Sequence, residues 1–340
     1  VEAVLIMVGS LRAGLSKLRI AGLAVFSLSL ALSVFGSGLG VLYDPPRLLF
    51  SVDALPFVTQ IAALAVTSVF LRRRGETPVE QRAADTSAIL ALVLNLVWLT
   101  FEMAAQYQRA GWSLQTLPFA VAAFWALYSA ATGTFALKPE LVWIRPVALT
   151  IFGLSLATSL VSSGFGTTYN PLRPVLSIES APLLILLAIL AAGSVALGRS
   201  RTGQARLARA AAVAANLLAL VWITFELWAH YNRPLVAWSL AGFTFTLSSA
   251  WTMYASALLA FGIGRRAKWA RLFSVGLFGL VITKLVLADV WLLQTPLRIA
   301  SLMGLGLVML LCSLGYHRFR ALILGPDDPA PPAAPGAAAA

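Results

Sequence analysis

Charged residues are scarce in this sequence, and their scarcity excludes a water-soluble fold. Only 11% of the 340 residues are Asp, Glu, Lys or Arg, whereas 59% are hydrophobic, and the mean hydropathy is +0.86. A soluble domain carries about 25% charged residues, which cover much of its surface. The composition therefore predicts an integral membrane protein that lies in the lipid bilayer.

Cysteine and histidine are also rare. The single cysteine, Cys312, excludes an intrachain disulfide and a cluster of thiolate metal ligands. His230 and His317 are the two histidines, and the sequence contains neither an H-E-x-x-H nor a D-x-D motif. Zinc, haem and metal-dependent glycosyl transfer therefore lack their usual ligands. We predict no cofactor and no evident catalytic site.

Hydrophobic residues are grouped into long runs of the length that a transmembrane helix requires. A helix needs about 20 mostly apolar residues to cross the hydrocarbon core. The ten runs are roughly 20–42, 54–71, 86–107, 114–137, 146–163, 176–198, 207–230, 235–262, 272–293 and 299–316. The predicted fold is an all-α, polytopic transmembrane helical bundle.

The basic residues indicate how this bundle is oriented. When the loops are assigned alternately to two sides, nineteen of the 25 Lys and Arg residues lie on the side of the N-terminus, and five lie on the other. Lys284 lies within a span. Cytoplasmic loops carry the excess of Lys and Arg, so we expect both termini in the cytoplasm and a location in the bacterial inner membrane. The same asymmetry explains the net charge of +12 without a nucleic-acid partner.

The sequence repeats itself at an offset of about 126 residues. VWLTFEMAAQYQR at 97–109 matches VWITFELWAHYNR at 221–233, and a second pair of segments matches at 43–56 and 169–182. Each repeat contains four spans, so successive repeats enter the membrane in the same orientation. We expect a partial repeat at 1–81, four-helix repeats at 82–206 and 207–320, and a disordered Pro/Ala tail at 321–340. The partial repeat begins within a span, which indicates a natural start upstream of Val1.

The last third of the chain contains a spaced series of motifs. They are W-x-x-Y-A from Trp251, K-x-x-x-x-D from Lys284, L-R-I-x-S from Leu297 and Y-x-R-F-R from Tyr316. In these motifs the segment 251–320 resembles a bacterial family of large predicted membrane proteins, domain of unknown function 2339. The resemblance implies a polytopic bacterial membrane protein of unknown activity and implies no catalytic residue.

Charges within a membrane are costly, so each one is a candidate functional residue. Lys284 lies deepest and is followed by an aspartate five residues later. Two Glu–Arg pairs, each seven residues apart, can share a helix face, and a histidine lies one turn from the second glutamate. Three further arginines occupy loops opposite the basic side. The candidates are Lys284, Asp289, Glu102, Arg109, Glu226, His230, Arg233, Arg47, Arg173 and Arg298.

Two interpretations of these residues remain open. Acids and bases are equal in number in this half of the bundle, six of each, which favours mutual salt bridges that fix the packing. The alternative is an outward-facing polar cavity that binds an anionic group. Lys284 is the residue that most favours the cavity. Thr158 occupies its position in the other repeat, so the charge is present in one copy only. A charge that the repeats do not share is not needed to build the repeat itself.

Three functions follow from these interpretations. The first is a non-enzymatic scaffold or partner subunit that contacts other membrane proteins or envelope polymers. The second is a transporter or flippase for a polar or anionic envelope component. The third is a membrane enzyme that acts on a lipid-linked substrate. Because no catalytic motif is present, the sequence favours the scaffold.

Overall fold

The computed structural model describes most of the central part of the chain. The described residues are 28–29, 32, 54–74, 78–135, 139–164, 177–199, 205–232, 239–265 and 267–289, with short pieces between 295 and 314. Within these ranges the secondary structure is helical, and no residue is in a strand. The predicted spans 20–42 and 299–316 lie outside the described residues apart from a few isolated positions.

Eight long helices account for nearly all of the described chain. They are α1 (Leu55–Arg74), α2 (Pro78–Arg109), α3 (Leu117–Phe135), α4 (Arg145–Ser162), α5 (Ala181–Arg199), α6 (Ala205–Tyr231), α7 (Leu240–Gly264) and α8 (Lys268–Lys284). A 3₁₀ helix (Pro139–Ile144) precedes α4, and a π-helical turn (Leu285–Asp289) follows α8. All eight are long and apolar enough to cross a membrane. The all-helical prediction is confirmed here, and a count of ten spans stays a prediction.

Proline marks the beginning of five of the helices. It occupies the first or second position of α1, α2, α3, α4 and α5. Proline lacks an N–H, and the first turn of a helix has no intrahelical acceptor for one, so the residue removes a donor that would otherwise stay unsatisfied. At α2 this start lies at Pro78, eight residues before the predicted position. The helix is therefore 32 residues long, about 48 Å, and exceeds a hydrocarbon core of about 30 Å.

The described helices fall into two compact units, and the first contains α1 to α4 with the beginning of α5. In this unit α1 packs against α2 through large side chains. Phe57 and Leu64 of α1 form a buried cluster with Leu94 and Trp98 of α2. The two α1 residues are seven positions apart and the two α2 residues four, spacings that place each pair on one face of its helix.

Small residues allow α3 and α4 to pack closely. Ala122 and Ala126 of α3 are fully buried, as are Ser155 and Ser159 of α4. The Ser155 hydroxyl donates a hydrogen bond to the Ala122 carbonyl oxygen, with a distance of 2.7 Å between the two oxygen atoms. Alanine and serine let membrane helix backbones approach each other, and a hydroxyl can then bond across the interface.

Arg72 joins three elements at one end of the first unit. Its guanidinium Nη2 lies 2.6 Å from Oδ1 of Asp85 in α2. The guanidinium carbon also lies 4.5 Å from the centre of the Trp143 ring in the 3₁₀ helix. An arginine can donate to a carboxylate and cover an aromatic face at the same time. The end of α1 is thus connected both to α2 and to the segment before α4.

The second unit contains the rest of α5 and helices α6 to α8. Its core includes Leu220, Ala255 and Leu277, one from each of the last three helices. Helices α7 and α8 approach each other closely at Gly262 of α7. A Cβ atom added there would lie 2.9 Å from Cγ and 3.0 Å from the backbone nitrogen of Arg271 in α8.

Large apolar side chains point away from both units. Val161, Met253 and Leu149 are each more than 70% exposed. Such side chains would be costly in water, but they are the normal surface of a helix in lipid. The distribution of apolar residues therefore agrees with the membrane location that the composition predicts.

Replacement of Gly262 by alanine is expected to lower stability, because the Cβ atom would collide with the backbone of α8. Overpacking of this kind costs about 1–3 kcal/mol. Gly279→Ala is the matched control, since a Cβ atom at Gly279 meets nothing within 4 Å. Thermal unfolding of the detergent-solubilised protein should show a lower melting temperature for Gly262→Ala alone. Equal melting temperatures for the two variants would contradict the close approach.

Candidate functional site

Polar side chains connect α2 to α3 in the interior of the first unit. The indole N–H of Trp125 donates to Oγ1 of Thr100, with 2.9 Å between nitrogen and oxygen. The Tyr128 hydroxyl donates to the Leu92 carbonyl oxygen at 2.9 Å and accepts from the Asn95 amide at 3.2 Å. Each of these groups would be costly to leave unsatisfied in lipid, so the bonds hold the two helices in one relative position.

The second unit contains a corresponding pair of bonds between α6 and α7. Trp251 donates through Nε1 to Oγ1 of Thr224 at 3.2 Å, and the Tyr254 hydroxyl donates to Oδ1 of Asn216 at 2.6 Å. Trp251 and Thr224 occupy the positions that align with the Trp and Thr of the first unit. Asn216 lies about one helical turn from the position that aligns with Asn95, and Tyr254 donates to it there. The Trp–Thr bond therefore joins the same pair of aligned helix positions in both units.

Sequence reasoning did not predict the hydrogen-bond partners of these tryptophans and tyrosines. A signal was present, because a threonine is among the residues that the two matching segments share. An indole N–H within a membrane needs an acceptor, and a hydroxyl shared by both copies is a natural one.

Glu102 is buried in the first unit, whereas Arg109 is not. The Glu102 side chain is 2% exposed, and Oε1 accepts a hydrogen bond from Nε2 of Gln106 at 3.3 Å. Arg109, at the end of α2, is exposed. Glu102 therefore has a hydrogen-bond partner one turn further along its own helix.

Glu226 and His230 lie on α6 beside an aromatic cluster. Both side chains are half-buried. The aromatic cluster consists of Trp228, Tyr231 and Phe243. The Phe243 ring centre lies 4.9 Å from that of Trp228 and 5.1 Å from that of Tyr231. The Trp228 and Tyr231 rings are stacked at 5.9 Å. Trp and Tyr are enriched where a membrane meets water, so the cluster marks an interface at this end of the unit.

Lys284 is the last residue of α8, and its ammonium group is directed towards α7. Nζ donates to the Ser248 hydroxyl at 2.8 Å and to the Thr244 carbonyl oxygen at 3.3 Å. Both partners are less than a tenth exposed. Lys284 lies within the predicted apolar span 272–293.

Asp289 and Arg298 are the remaining candidates that the structure describes. Asp289 ends the π-helical turn after α8, and such turns are frequent at functional sites. Arg298 is half-buried. The predicted sites at Arg47, Arg173 and Arg233 lie outside the described residues. Among the residues that the structure describes, no group of three or more His, Cys, Asp or Glu side chains could hold a metal ion.

Comparison with known proteins supports the membrane assignment. The sequence profile of a family described as a predicted membrane protein (DUF2339) matches residues 3–319. No curated protein and no solved structure shows significant similarity to the chain.

A double-mutant cycle measures the interhelical bond of the second unit. Trp251→Phe and Thr224→Val each remove one side of it, so their effects on unfolding free energy should be less than additive, with a coupling of about 0.6 kcal/mol. Thr246→Val is the control partner, because the Thr246 hydroxyl bonds within its own helix to the Gly242 carbonyl. Equal coupling in both cycles would contradict a specific Trp–Thr bond.

Proposed function

The chain belongs to the DUF2339 family of predicted membrane proteins, and from this premise we propose that it is a non-catalytic scaffold or partner subunit of the bacterial envelope. The observation that carries the proposal is the set of interhelical hydrogen bonds at aligned positions of the two units. Trp125 and Trp251 donate to threonines on the preceding helix in the same way. Hydrogen bonds between helices oppose their relative movement. These bonds therefore favour a rigid framework over a protein that changes conformation.

Proline does not break any of the eight described helices within its span. Transporters commonly bind substrate where helices unwind near the middle of the membrane. Every proline in the eight helices lies in a first turn, so none interrupts a span. This continuity supports the framework role.

We propose further that the framework consists of tandem four-helix repeats with ten spans, and that both termini lie in the cytoplasm of the inner membrane. Basic residues support this orientation, because they collect at alternate helix ends. α1, α5 and α7 end next to arginines, whereas α2, α4, α6 and α8 have basic residues at or near their beginnings. Such clustering is typical of cytoplasmic ends.

A second candidate function is transport or flipping of an anionic envelope component. The observation in its favour is Lys284, a cation within a predicted span, which donates to the Ser248 hydroxyl and to the Thr244 carbonyl oxygen of α7. Within the second unit, a transporter would also use Glu226 to line its cavity.

Cysteine labelling tests the proposed orientation. In a Cys312→Ser background, Arg73→Cys and Trp112→Cys place one thiol at each end of the first unit, at positions that are exposed. Because basic residues stay in the cytoplasm, an impermeant maleimide should label Trp112→Cys in intact cells and label Arg73→Cys only after permeabilisation. Labelling of Arg73→Cys in intact cells would contradict the proposed orientation and indicate the opposite one.

Neutral substitutions separate the two candidate functions. Glu102→Gln and Glu226→Gln keep the size of each side chain and remove its charge. In cells that lack the gene, both variants should restore normal resistance to detergent if the protein is a scaffold. Protein abundance, measured by immunoblot, is the control. Loss of resistance at normal abundance would support transport instead.

A further inference from the structure

The two units differ in charge at the end where their even-numbered helices begin. In the sequence from Ala181 to Ala288, which includes α5 to α8, Glu226 is the single acidic residue. It lies twenty positions after Arg206, towards the other end of α6. The first unit has acids as well as bases at the corresponding end, because Glu80 and Asp85 lie near the beginning of α2. The second unit therefore carries a larger excess of positive charge there.

One ion pair of the first unit shows this difference directly. Arg72 of α1 forms a salt bridge with Asp85 of α2. At the offset of 124 residues between α2 and α6, Arg209 occupies the position of the aspartate. At the offset of 126 residues between α1 and α5, Gly198 occupies the position of the arginine. Arg209 is exposed, and its Nε donates to the carbonyl oxygen of Ala205 in its own helix at 3.2 Å. A base without an acid thus replaces the ion pair.

The structure brings further bases to the same end of the second unit. Hydrogen bonds from Tyr254 to Asn216 and from Trp251 to Thr224 show that α7 runs antiparallel to α6, so the end of α7 lies beside the beginning of α6. Helix α8 begins there as well, since the Ala267 N–H donates to the carbonyl oxygen of Gly262 in α7 at 2.9 Å. We name the four exposed bases of these helices the basic end: Arg206, Arg209, Arg265 and Lys268.

The four bases of the basic end remain available to an external anion. Within the described part of the chain, none of them forms an ion pair with an acidic side chain. The orientation of the helices requires bases on one side of the membrane, but acidic residues have little influence on it. The first unit illustrates this, since it combines Glu80 and Asp85 with nearby arginines. Orientation therefore does not explain why acids are missing from the second unit.

Exposed apolar side chains adjoin these bases. Leu207 lies between the two bases of α6 and is 56% exposed. Phe261 precedes Arg265 by four residues, and Leu272 follows Lys268 by four, so each apolar side chain shares a helix face with its base. The two are 49% and 65% exposed. A lipid has an acyl chain directly beneath its headgroup and can contact both kinds of side chain at once. This combination favours a lipid over a water-soluble anion.

We propose that the basic end of the second unit binds the headgroups of anionic lipids. Clusters of Lys and Arg at the ends of membrane helices attract such lipids, and each base near a charged membrane surface contributes about fivefold in affinity. The inference goes beyond the scaffold role and does not depend on it, because a scaffold and a transporter can each bind lipid. It also does not depend on which side of the membrane the basic end faces.

The experiment measures lipid binding by the full chain in detergent. Native mass spectrometry follows titrations with phosphatidylglycerol, which is anionic, and with phosphatidylcholine, which has no net charge. The double variant Arg206→Gln/Arg209→Gln should weaken phosphatidylglycerol binding roughly tenfold, because two of the four charges are lost. Arg265→Gln/Lys268→Gln should do the same. Phosphatidylcholine binding should stay unchanged in both variants.

The matched control removes two charges from the corresponding end of the first unit. Arg73→Gln/Arg82→Gln changes the net charge of the protein equally, and both residues are exposed. Because acids lie near these arginines, the control should keep most of the affinity for phosphatidylglycerol. Equal losses in the control and in the two basic-end variants would overturn the proposal, because net charge alone would then explain them. Unchanged binding in all three would also overturn it and favour an acidic protein as the partner of this surface.

A charge reversal gives a second variant that tests the same surface. Arg209→Asp places at this position the residue that the first unit has there. It should weaken phosphatidylglycerol binding more than Arg209→Gln does, because the acid repels the lipid phosphate as well as removing a positive charge. Equal affinities of the two variants would contradict a direct electrostatic contact. Melting temperatures of all variants serve as the control for folding.

Chemical labelling tests the proposal on the unmodified protein, independently of any variant. An amine-reactive reagent is applied with phosphatidylglycerol or with phosphatidylcholine, and modification of Lys268 is measured by peptide mass spectrometry. Phosphatidylglycerol should slow the modification severalfold relative to phosphatidylcholine, since a bound headgroup covers the amine. Equal rates in the two lipids would overturn the proposal.

Discussion

Within a bilayer, each polar group must find its partner inside the protein, and this requirement governs the structure described here. It explains why the chain is helical, since helices satisfy their own backbone. It explains why proline occupies first turns, where no N–H is needed. It also explains why the indole of Trp125 meets Thr100 and why the hydroxyl of Ser155 meets a backbone carbonyl. Lipid supplies no alternative partner, so each bond fixes a helix position.

Hydropathy predicted the helices well, because the length of an apolar run is a property of the local sequence. The partners of Trp125 and Lys284 were not predicted, because they depend on the rotation and axial position of a neighbouring helix. α7 contains several other Ser and Thr residues, and only packing determines that Ser248 lies against Lys284. The start of α2 was misplaced because its first turns extend beyond the apolar run, where hydropathy carries no signal.

The two units show how structural and functional polarity can be separated within one chain. Residues that the units have in common, such as Trp251 and Thr224 with their counterparts, hold helices together. Lys284 occurs only in the second of the two aligned copies, where it bonds to α7, and Thr158 occupies the aligned position of the first.

The unequal offsets of the matching helices have a consequence for how such a protein can change. α6 lies 124 residues after its counterpart and α7 lies 126 residues after, so two residues have been gained between them while the tryptophan still reaches its threonine. The helix interior determines the register, and the connecting segment is free to vary in length. The loops at this surface can therefore change in length during evolution without disturbing the packing of the buried helix interfaces.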